Sequence, residues 1–243
     1  YYWRVRAVDN AGNYGAWAEW YKFTVQVLIG KPTLTAPADG AKTNDNTPTF
    51  MWTAGTNAEN HRLLADNDSD FSSPVENQII PMPTITYTIA AENALSDGTH
   101  YWKAIAINIY GENESAAWTF IVDTVAPSTP SLISPSNGTT TDDTTPTFLW
   151  SDVNDPSGVA YTLEIVGRLT KTGLASSIYT LTSGEALPDG TYSWRVRAID
   201  NAGNESDWSE TWSITVKTYV PPPPPPPPPP RAGSAGQSLR AAG

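Results

Sequence analysis

The chain repeats itself, and no other sequence feature constrains its fold as strongly. Thr47–Trp52 (TPTFMW) returns as Thr145–Trp150 (TPTFLW), and Leu95–Trp102 returns as Leu187–Trp194. Motifs that recur in the same order, here about 95 residues apart, indicate tandem structural units with the size of a small β-sandwich.

Within a unit, the residue pattern is that of β-strands joined by tight turns. Trp194–Ala198 alternates apolar with charged residues, so one face of the segment packs inward and the other meets water. Asp200–Asn204 then supplies turn-forming residues before a second segment at Trp212–Val216, which makes a hairpin. In the Leu-x-Asp-Gly-Thr turns, Gly98 and Gly190 are free to take positive φ. Ten Trp and eleven Tyr suit half-buried strands, so we predict an all-β chain.

The landmarks divide the chain into four parts. Residues 29–124 and 125–218 each hold a complete unit of the size of an immunoglobulin-like sandwich. Tyr1–Asn13 recurs almost verbatim at 192–204. We therefore predict that residues 1–28 are the closing hairpin of a truncated repeat, left as an orphan hairpin at the N-terminus.

The fourth part, 219–243, begins with ten consecutive prolines at Pro221–Pro230. Proline lacks the N–H that a sheet needs, so we predict a polyproline II rod, which at about 3.1 Å per residue spans roughly 31 Å. The Gly-, Ala- and Ser-rich segment that follows is predicted to be disordered. We expect the rod to act as a spacer, with docking of a proline-reading domain as the alternative.

The motif at Leu187–Asn204, together with the linker Asp123–Pro127, resembles the bacterial Ig-like and fibronectin-III-like repeats of large prokaryotic surface proteins. The resemblance covers residues 1–218. It is specific for architecture because several motifs recur in order, but sandwiches of this kind host many functions. It implies tandem β-sandwiches in a cell-surface or secreted protein that serves as an adhesin, a stalk or a spacer between functional modules.

Composition excludes several classes of function. A net charge of −11 argues against a nucleic-acid partner, because phosphate binding needs a basic face that 14 Lys and Arg do not supply. No apolar run of about 18 residues exists, so no membrane span is predicted. The chain has no Cys and two His, and no nucleophile-elbow motif frames a Ser, so disulfides, zinc sites and catalysis are not expected.

Arginine and tryptophan form a candidate ladder. Arg195 and Arg197 project from one face of their strand, and Trp208 follows just across the hairpin. A Trp ring against guanidinium planes gives cation–π contacts of about 0.5–2 kcal/mol each. The first hairpin repeats the set as Arg4, Arg6 and Trp17. In the middle unit Lys103 and Ile105 replace the two Arg. The set is similar to the ladder of fibronectin-like cytokine-receptor domains, which implies a structural role.

Two kinds of ligand site remain open. Trp20 and Tyr110 do not recur, so they are the candidates for stacking on sugar rings. Acidic residues cluster at predicted turns, where carboxylates could bind calcium and stiffen the junctions, although Asp is also an ordinary turn former. The candidate calcium ligands are Asp142, Asp143, Asp152, Asp155 and Asp200. No other cofactor is expected.

The sequence therefore favours a non-catalytic, extracellular or cell-surface repeat region that spaces or presents other modules, or adheres. Its expected partners are other protein domains or cell-surface ligands, with glycans as a further class. Two alternatives stay open. One is a carbohydrate-binding accessory module of a secreted glycan-degrading enzyme, and the other is a filament or pilus-like subunit that exchanges strands.

Overall fold

The computed structural model of the chain describes residues 1–218 and 224–226. Most of the predicted polyproline rod, and the segment 231–243 after it, lie outside the described residues. The described elements are β-strands, apart from short 3-10 turns at Ala91–Asn93 and Ser183–Glu185, so the all-β prediction is confirmed. No helix in this part of the chain is long and apolar enough to cross a membrane.

Residues 1–28 form an antiparallel hairpin paired in two short ladders. Strand β1 (Tyr2–Trp3) pairs with β4 (Tyr21–Lys22), and β2 (Arg6–Val8) pairs with β3 (Tyr14–Trp17). Arg4 is the one residue of this segment that is not exposed. The apolar face of the hairpin is therefore not covered by a second layer of the described chain.

Residues 33–122 form the first sandwich, which consists of two sheets. Its strands are β5 (Thr33–Ala36), β6 (Ala41–Thr43), β7 (Thr49–Thr53), β8 (Asn60–Asp66), β9 (Glu76–Pro81), β10 (Thr86–Thr88), β11 (Gly98–Asn108), β12 (Gly111–Glu114) and β13 (Trp118–Val122). One sheet has the order β10-β7-β5, and the other has the order β6-β13-β11-β8-β9 with β12 added to β11. The β6–β13 pair is parallel, and the other pairs of these sheets are antiparallel.

Residues 132–216 form the second sandwich on the same plan. Its strands are β14 (Leu132–Ser134), β15 (Thr139–Thr141), β16 (Thr147–Trp150), β17 (Val159–Ile165), β18 (Leu169–Leu174), β19 (Ile178–Thr180), β20 (Gly190–Asp200) and β21 (Trp212–Val216). The sheet orders are β14-β16-β19 and β15-β21-β20-β17-β18. The two predicted strand segments of this unit lie in β20 and β21.

The recurring sequence motifs supply the core of each sandwich, because alternate residues of a strand point inward. In the first sandwich the rings of Phe50 and Trp102 pack with centroids 5.0 Å apart, and in the second those of Phe148 and Trp194 pack at 4.8 Å. These four side chains are fully buried. The repeat that is visible in the sequence is therefore a repeat of core packing.

The Leu-x-Asp-Gly-Thr turn fastens the end of each unit. The carboxylate of Asp189 accepts hydrogen bonds from the N–H and the hydroxyl of Thr218, both at 2.9 Å, and these bonds lower the pKa of Asp189. Gly98 has φ of 137°, as predicted for a glycine turn, but Gly190 does not have a positive φ. The prediction is therefore wrong for Gly190, although each glycine is the first residue of its strand.

Hydrogen bonds join the two sandwiches end to end. The Lys42 Nζ donates to the carbonyl oxygen of Ser157 at 2.6 Å, and the backbone N–H of Asn44 donates to the carbonyl oxygen of Ala202 at 3.1 Å. Lys42 and Asn44 belong to the first sandwich, and their acceptors lie in loops of the second. The junction is therefore built by direct contacts as well as by the linker.

Candidate functional site

The Arg and Trp ladder of the second sandwich lies on the outer face of β20. The guanidinium carbon of Arg195 is 4.3 Å from the ring centroid of Trp208, and that of Arg197 is 4.9 Å away. Arg195 Nε also donates to Glu164 at 2.6 Å, and Arg197 pairs with Glu205. Carboxylates thus orient both guanidinium groups against one ring, which favours a stabilising role for the ladder.

The N-terminal hairpin assembles the same ladder with more aromatic residues. The guanidinium carbon of Arg4 is 4.4 Å from the ring centroids of both Trp17 and Trp20. That of Arg6 is 4.6 Å from Trp17 and 3.7 Å from Tyr14. The guanidinium groups of the hairpin therefore contact three aromatic rings, whereas those of the second sandwich contact one ring and two carboxylates.

The first sandwich lacks the ladder, as its sequence indicates. Lys103 Nζ bonds Glu114 at 2.8 Å and lies 4.8 Å from the ring centroid of Phe71. Ile105 is buried. The structure thus brings the predicted ladder residues together in the hairpin and in the second sandwich, while the middle unit has the ion pairs Lys103–Glu114 and Arg62–Glu112 on its outer face.

The two predicted sugar-contacting residues lie in different places. Trp20 lines a shallow apolar depression with Tyr2, and the two side chains are 58% and 67% exposed. Tyr110 lines a separate cleft with Gln26–Ile29. Sequence reasoning missed Tyr2. The signal that could have found it is the exchange at the equivalent position of the second sandwich, where Ser193 replaces this aromatic residue.

Three carboxylates meet at the junction between the sandwiches. Oxygen atoms of Asp123, Asp155 and Asp200 all lie within 4.8 Å of one another. Asp123 follows the last strand of the first sandwich, whereas Asp155 lies in a loop of the second and Asp200 ends β20. A cleft of about 450 Å³ adjoins them, with Ile121 and Val125 among its lining residues. The cluster therefore exists only when the two sandwiches are placed end to end.

Hydrogen bonds orient the side chains of this cluster. Asp200 is 5% exposed, and its Oδ1 accepts the backbone N–H groups of Ala202, Gly203 and Asn204 at 2.7–2.8 Å. The side-chain amide of Asn204 donates both to Asp200 Oδ2 and to the carbonyl oxygen of Asp123, each at 2.7 Å. Carboxylate oxygens are ligands that calcium accepts. These residues could hold a cation, and calcium binding stays a prediction from the sequence.

The structure does not bring the other predicted calcium ligands to the cluster. Asp143 accepts hydrogen bonds from the N–H and the hydroxyl of Thr145 in its own turn. Asp142 and Asp152 are exposed. Sequence reasoning missed Asp123, because only the contact between consecutive sandwiches places it beside Asp155 and Asp200.

Comparison with known proteins agrees with this architecture. Residues 131–218 match the family described as bacterial Ig-like domain. The second sandwich is thus the part of the chain that is similar to this family. The predicted resemblance to bacterial Ig-like and fibronectin-III-like repeats is thereby confirmed. Fibronectin(III)-like modules of Clostridium thermocellum CbhA share this fold, with a TM-score of 0.52 at 16% identity over 77% of this chain and 94% of theirs.

The similarity to one curated relative extends over most of the chain. Exoglucanase B of Cellulomonas fimi is 28% identical over 230 residues, which cover 90% of this chain. The same residues cover 20% of the exoglucanase, so the chain spans about a fifth of that protein's length.

Proposed function

We propose that this chain is a non-catalytic repeat region of an extracellular glycan-degrading enzyme, in which the Ig-like sandwiches space and present other modules. The observation that carries the proposal is the similarity to Exoglucanase B, which extends over 90% of this chain. Ig-like and fibronectin-III-like domains are generally non-catalytic, so the region would set the positions of other modules and take no part in the reaction.

The junction supports a spacing role. A spacer transmits position only if its units do not pivot freely, and direct contacts between domains restrict such motion. Here the ammonium group of Lys42 reaches the carbonyl oxygen of Ser157 across the junction, and Asn204 bonds the backbone of Asp123 from the opposite side. These bonds hold the end of the first sandwich against two loops of the second.

The reading frame that encodes this chain tests the proposal. We expect it to encode a glycoside hydrolase domain beside the repeats. Deleting residues 29–218 from that enzyme should leave its turnover of a soluble oligosaccharide unchanged, while its hydrolysis of an insoluble glucan falls because module spacing is lost. A reading frame of repeats alone would contradict the proposal and favour adhesion, and so would loss of turnover on the soluble substrate.

The outer face of the hairpin favours a second candidate function, which is direct contact with a glycan. Tyr2 and Trp20 occupy positions that the second sandwich fills with Ser193 and Thr211, and all four side chains are exposed. They point away from the apolar face of the hairpin, so they stay accessible whatever covers that face. Flat aromatic side chains suit the apolar faces of sugar rings, and Arg4 beside Trp20 offers donors for hydroxyl groups.

A glycan array probed with the purified chain tests this candidate. We expect Trp20→Ala to abolish retention on any glycan that the chain binds, and Tyr2→Ala to weaken it. Tyr110→Ala is the matched control, because Tyr110 is partly exposed but lies in a different cleft. Absence of binding to every glycan would rule out the candidate, and loss of binding in the Tyr110 variant alone would move the site to that cleft.

A further inference from the structure

A histidine lies in the core of the first sandwich. His61 of β8 is fully buried, and its ring packs edge-on against Trp52 with centroids 5.8 Å apart. Its Nε2 accepts a hydrogen bond from the backbone N–H of Gly55 at 3.3 Å, while the buried Nδ1 has no partner among the described residues. The bond from Gly55 requires an unprotonated Nε2, so this arrangement suits the neutral ring alone.

The second sandwich makes the same contacts with a tyrosine. Tyr161 occupies the equivalent position on β17, and its ring packs edge-on against Trp150 with centroids 5.6 Å apart. Its hydroxyl accepts the backbone N–H of Val153 at 2.8 Å. A phenol keeps this role at any pH below about 10, whereas histidine changes charge near pH 6.5. The bond that holds the loop before β8 in the first sandwich is therefore sensitive to acid, whereas the equivalent bond before β17 in the second sandwich is not.

The loop that His61 secures also clamps the linker between the hairpin and the first sandwich. A Cβ on Gly55 would lie 2.0 Å from the carbonyl oxygen of Gly30, so the two backbones are in direct contact. The N–H of Gly30 donates to the carbonyl oxygen of Thr56 at 2.9 Å, and Asn57 Nδ2 donates to that of Leu28 at 2.7 Å. Movement of the loop at 53–58 would therefore remove these two bonds and leave the linker held by the bond from Asn113 Nδ2 to the carbonyl oxygen of Ile29 at 2.8 Å.

Charged groups on the surrounding elements do not compensate a proton on His61. Strand β7 carries none, Glu59 of the loop is exposed, and Glu76 of β9 bonds Gln78, Tyr87 and Asn93. The remaining charged or titratable groups on these elements are Arg62, which pairs with Glu112; Lys103, which pairs with Glu114; and Asp66, His100 and Tyr101. Burial alone lowers the pKa of His61, with no contribution from a neighbouring charge.

We propose that protonation of His61 opens the loop at 53–58 and separates it from the linker at 28–30, so that this joint, then held by the bond from Asn113 to Ile29, loosens between pH 7 and pH 5. The joint between the two sandwiches, whose equivalent loop is secured by Tyr161, keeps its form over the same range. The first joint is thus an acid-sensitive hinge, and the second is a fixed one.

The direction follows from proton linkage. In the closed loop the imidazolium form is disfavoured by burial, so the pKa of His61 lies below its ordinary value of 6.5. In the open loop the ring meets water, and its pKa returns toward that value. The open state therefore binds a proton that the closed state does not, and the opening equilibrium constant rises at most tenfold per pH unit. Between pH 7 and pH 5 the maximum increase is roughly 25-fold.

Hydrogen exchange of the full 243-residue chain at pH 7 and pH 5, corrected for intrinsic exchange rates, tests the hinge. We expect protection of the Gly30 and Gly55 amides to fall by up to roughly 25-fold at pH 5. The fall should vanish in His61→Tyr, whose hydroxyl can accept the Gly55 N–H as Tyr161 does for Val153. The amide of Val153 should show no such change in either protein.

Further variants keep the outcome decisive. If His61→Tyr fails to fold, His61→Gln offers a neutral acceptor of smaller size and should show the same flat response. His100→Gln is the matched control and should retain the wild-type fall, because His100 bonds Ser96 near the opposite end of the sandwich. Unchanged protection in the wild type, or an equal fall in the substituted His61 chain, overturns the proposal.

Discussion

Buried serine hydroxyls form hydrogen bonds with backbone groups that a neighbouring strand would otherwise satisfy. Ser209 Oγ accepts the N–H of Val196 at 3.0 Å and donates to the carbonyl oxygen of Glu210 at 2.8 Å. Ser115 makes the equivalent pair of bonds in the first sandwich, with the N–H of Ala104 at 3.2 Å. These hydroxyls satisfy backbone groups of β20 and β11 where the neighbouring chain leaves the regular ladder.

Replacing Ser209 with alanine should destabilise the second sandwich. The buried N–H of Val196 would keep no side-chain acceptor, which costs about 1–3 kcal/mol. Denaturant titration, read through hydrogen exchange of the β20 amides, measures the change in the free energy of unfolding. Ser193→Ala is the control, because Ser193 is exposed on the same strand, and its cost should stay within about 0.5 kcal/mol. Equal effects of the two changes would contradict the assignment.

The acid response of the second sandwich is expected to depend on Glu185. A hydrogen bond from Lys171, followed by one from the Thr182 backbone, lowers the pKa of Glu185 from 4.5 to about 2. The folded state therefore holds this carboxylate ionised where the unfolded state binds a proton. The stability that it contributes is present above pH 4.5 and is lost as the pH falls toward 2.

Thermal melting of wild type and Glu185→Gln between pH 6 and pH 2.5 measures this contribution. The variant should melt lower than wild type at pH 6, and the difference should shrink steadily below pH 4.5. This window lies below that of His61, so the two titrations can be separated. A difference that stays constant with pH would show that Glu185 acts only through packing.

At the scale of elements, the local sequence pattern predicts strand positions and buried residues. The alternation in Trp194–Ala198 places that segment in β20, and the recurring motifs identify the buried aromatic residues. Local pattern could not reveal Asp123 as a neighbour of Asp200, because Asp123 follows the last strand of the first sandwich and Asp200 ends β20 of the second. It likewise gave Asp143 the same weight as Asp155, although Asp143 bonds only within its own turn.

The carboxylate cluster allows a direct test of the calcium prediction. Without divalent cations, Asp155→Asn should raise the melting temperature of the second sandwich, because it removes one of three neighbouring negative charges. With calcium, wild type should gain stability by mass action, and the variant should gain less. The control is Asp152→Asn, because Asp152 is exposed and lies outside the cluster. If calcium shifts neither wild type nor the variant, the prediction is wrong.

At the scale of the molecule, the chain is a series of units whose joints differ. The joint between the sandwiches combines the Lys42–Ser157 and Asn44–Ala202 bonds with the bond from Asn204 to Asp123. The joint before the first sandwich combines the bond from Asn113 to Ile29 with the contacts of the loop that His61 secures. A spacer with one fixed and one adjustable joint would set the distance between modules while leaving their orientation responsive to conditions.

Distance measurement between spin labels on the two sandwiches tests the fixed joint, and with it the spacing role, most directly. The chain has no Cys, so Ile79→Cys and Ile178→Cys, both at exposed strand positions, can be labelled without side reaction. We expect a single narrow distance distribution at pH 7 that broadens when Lys42 and Asn204 are both replaced with alanine. A broad distribution in the labelled chain before those replacements would contradict the account.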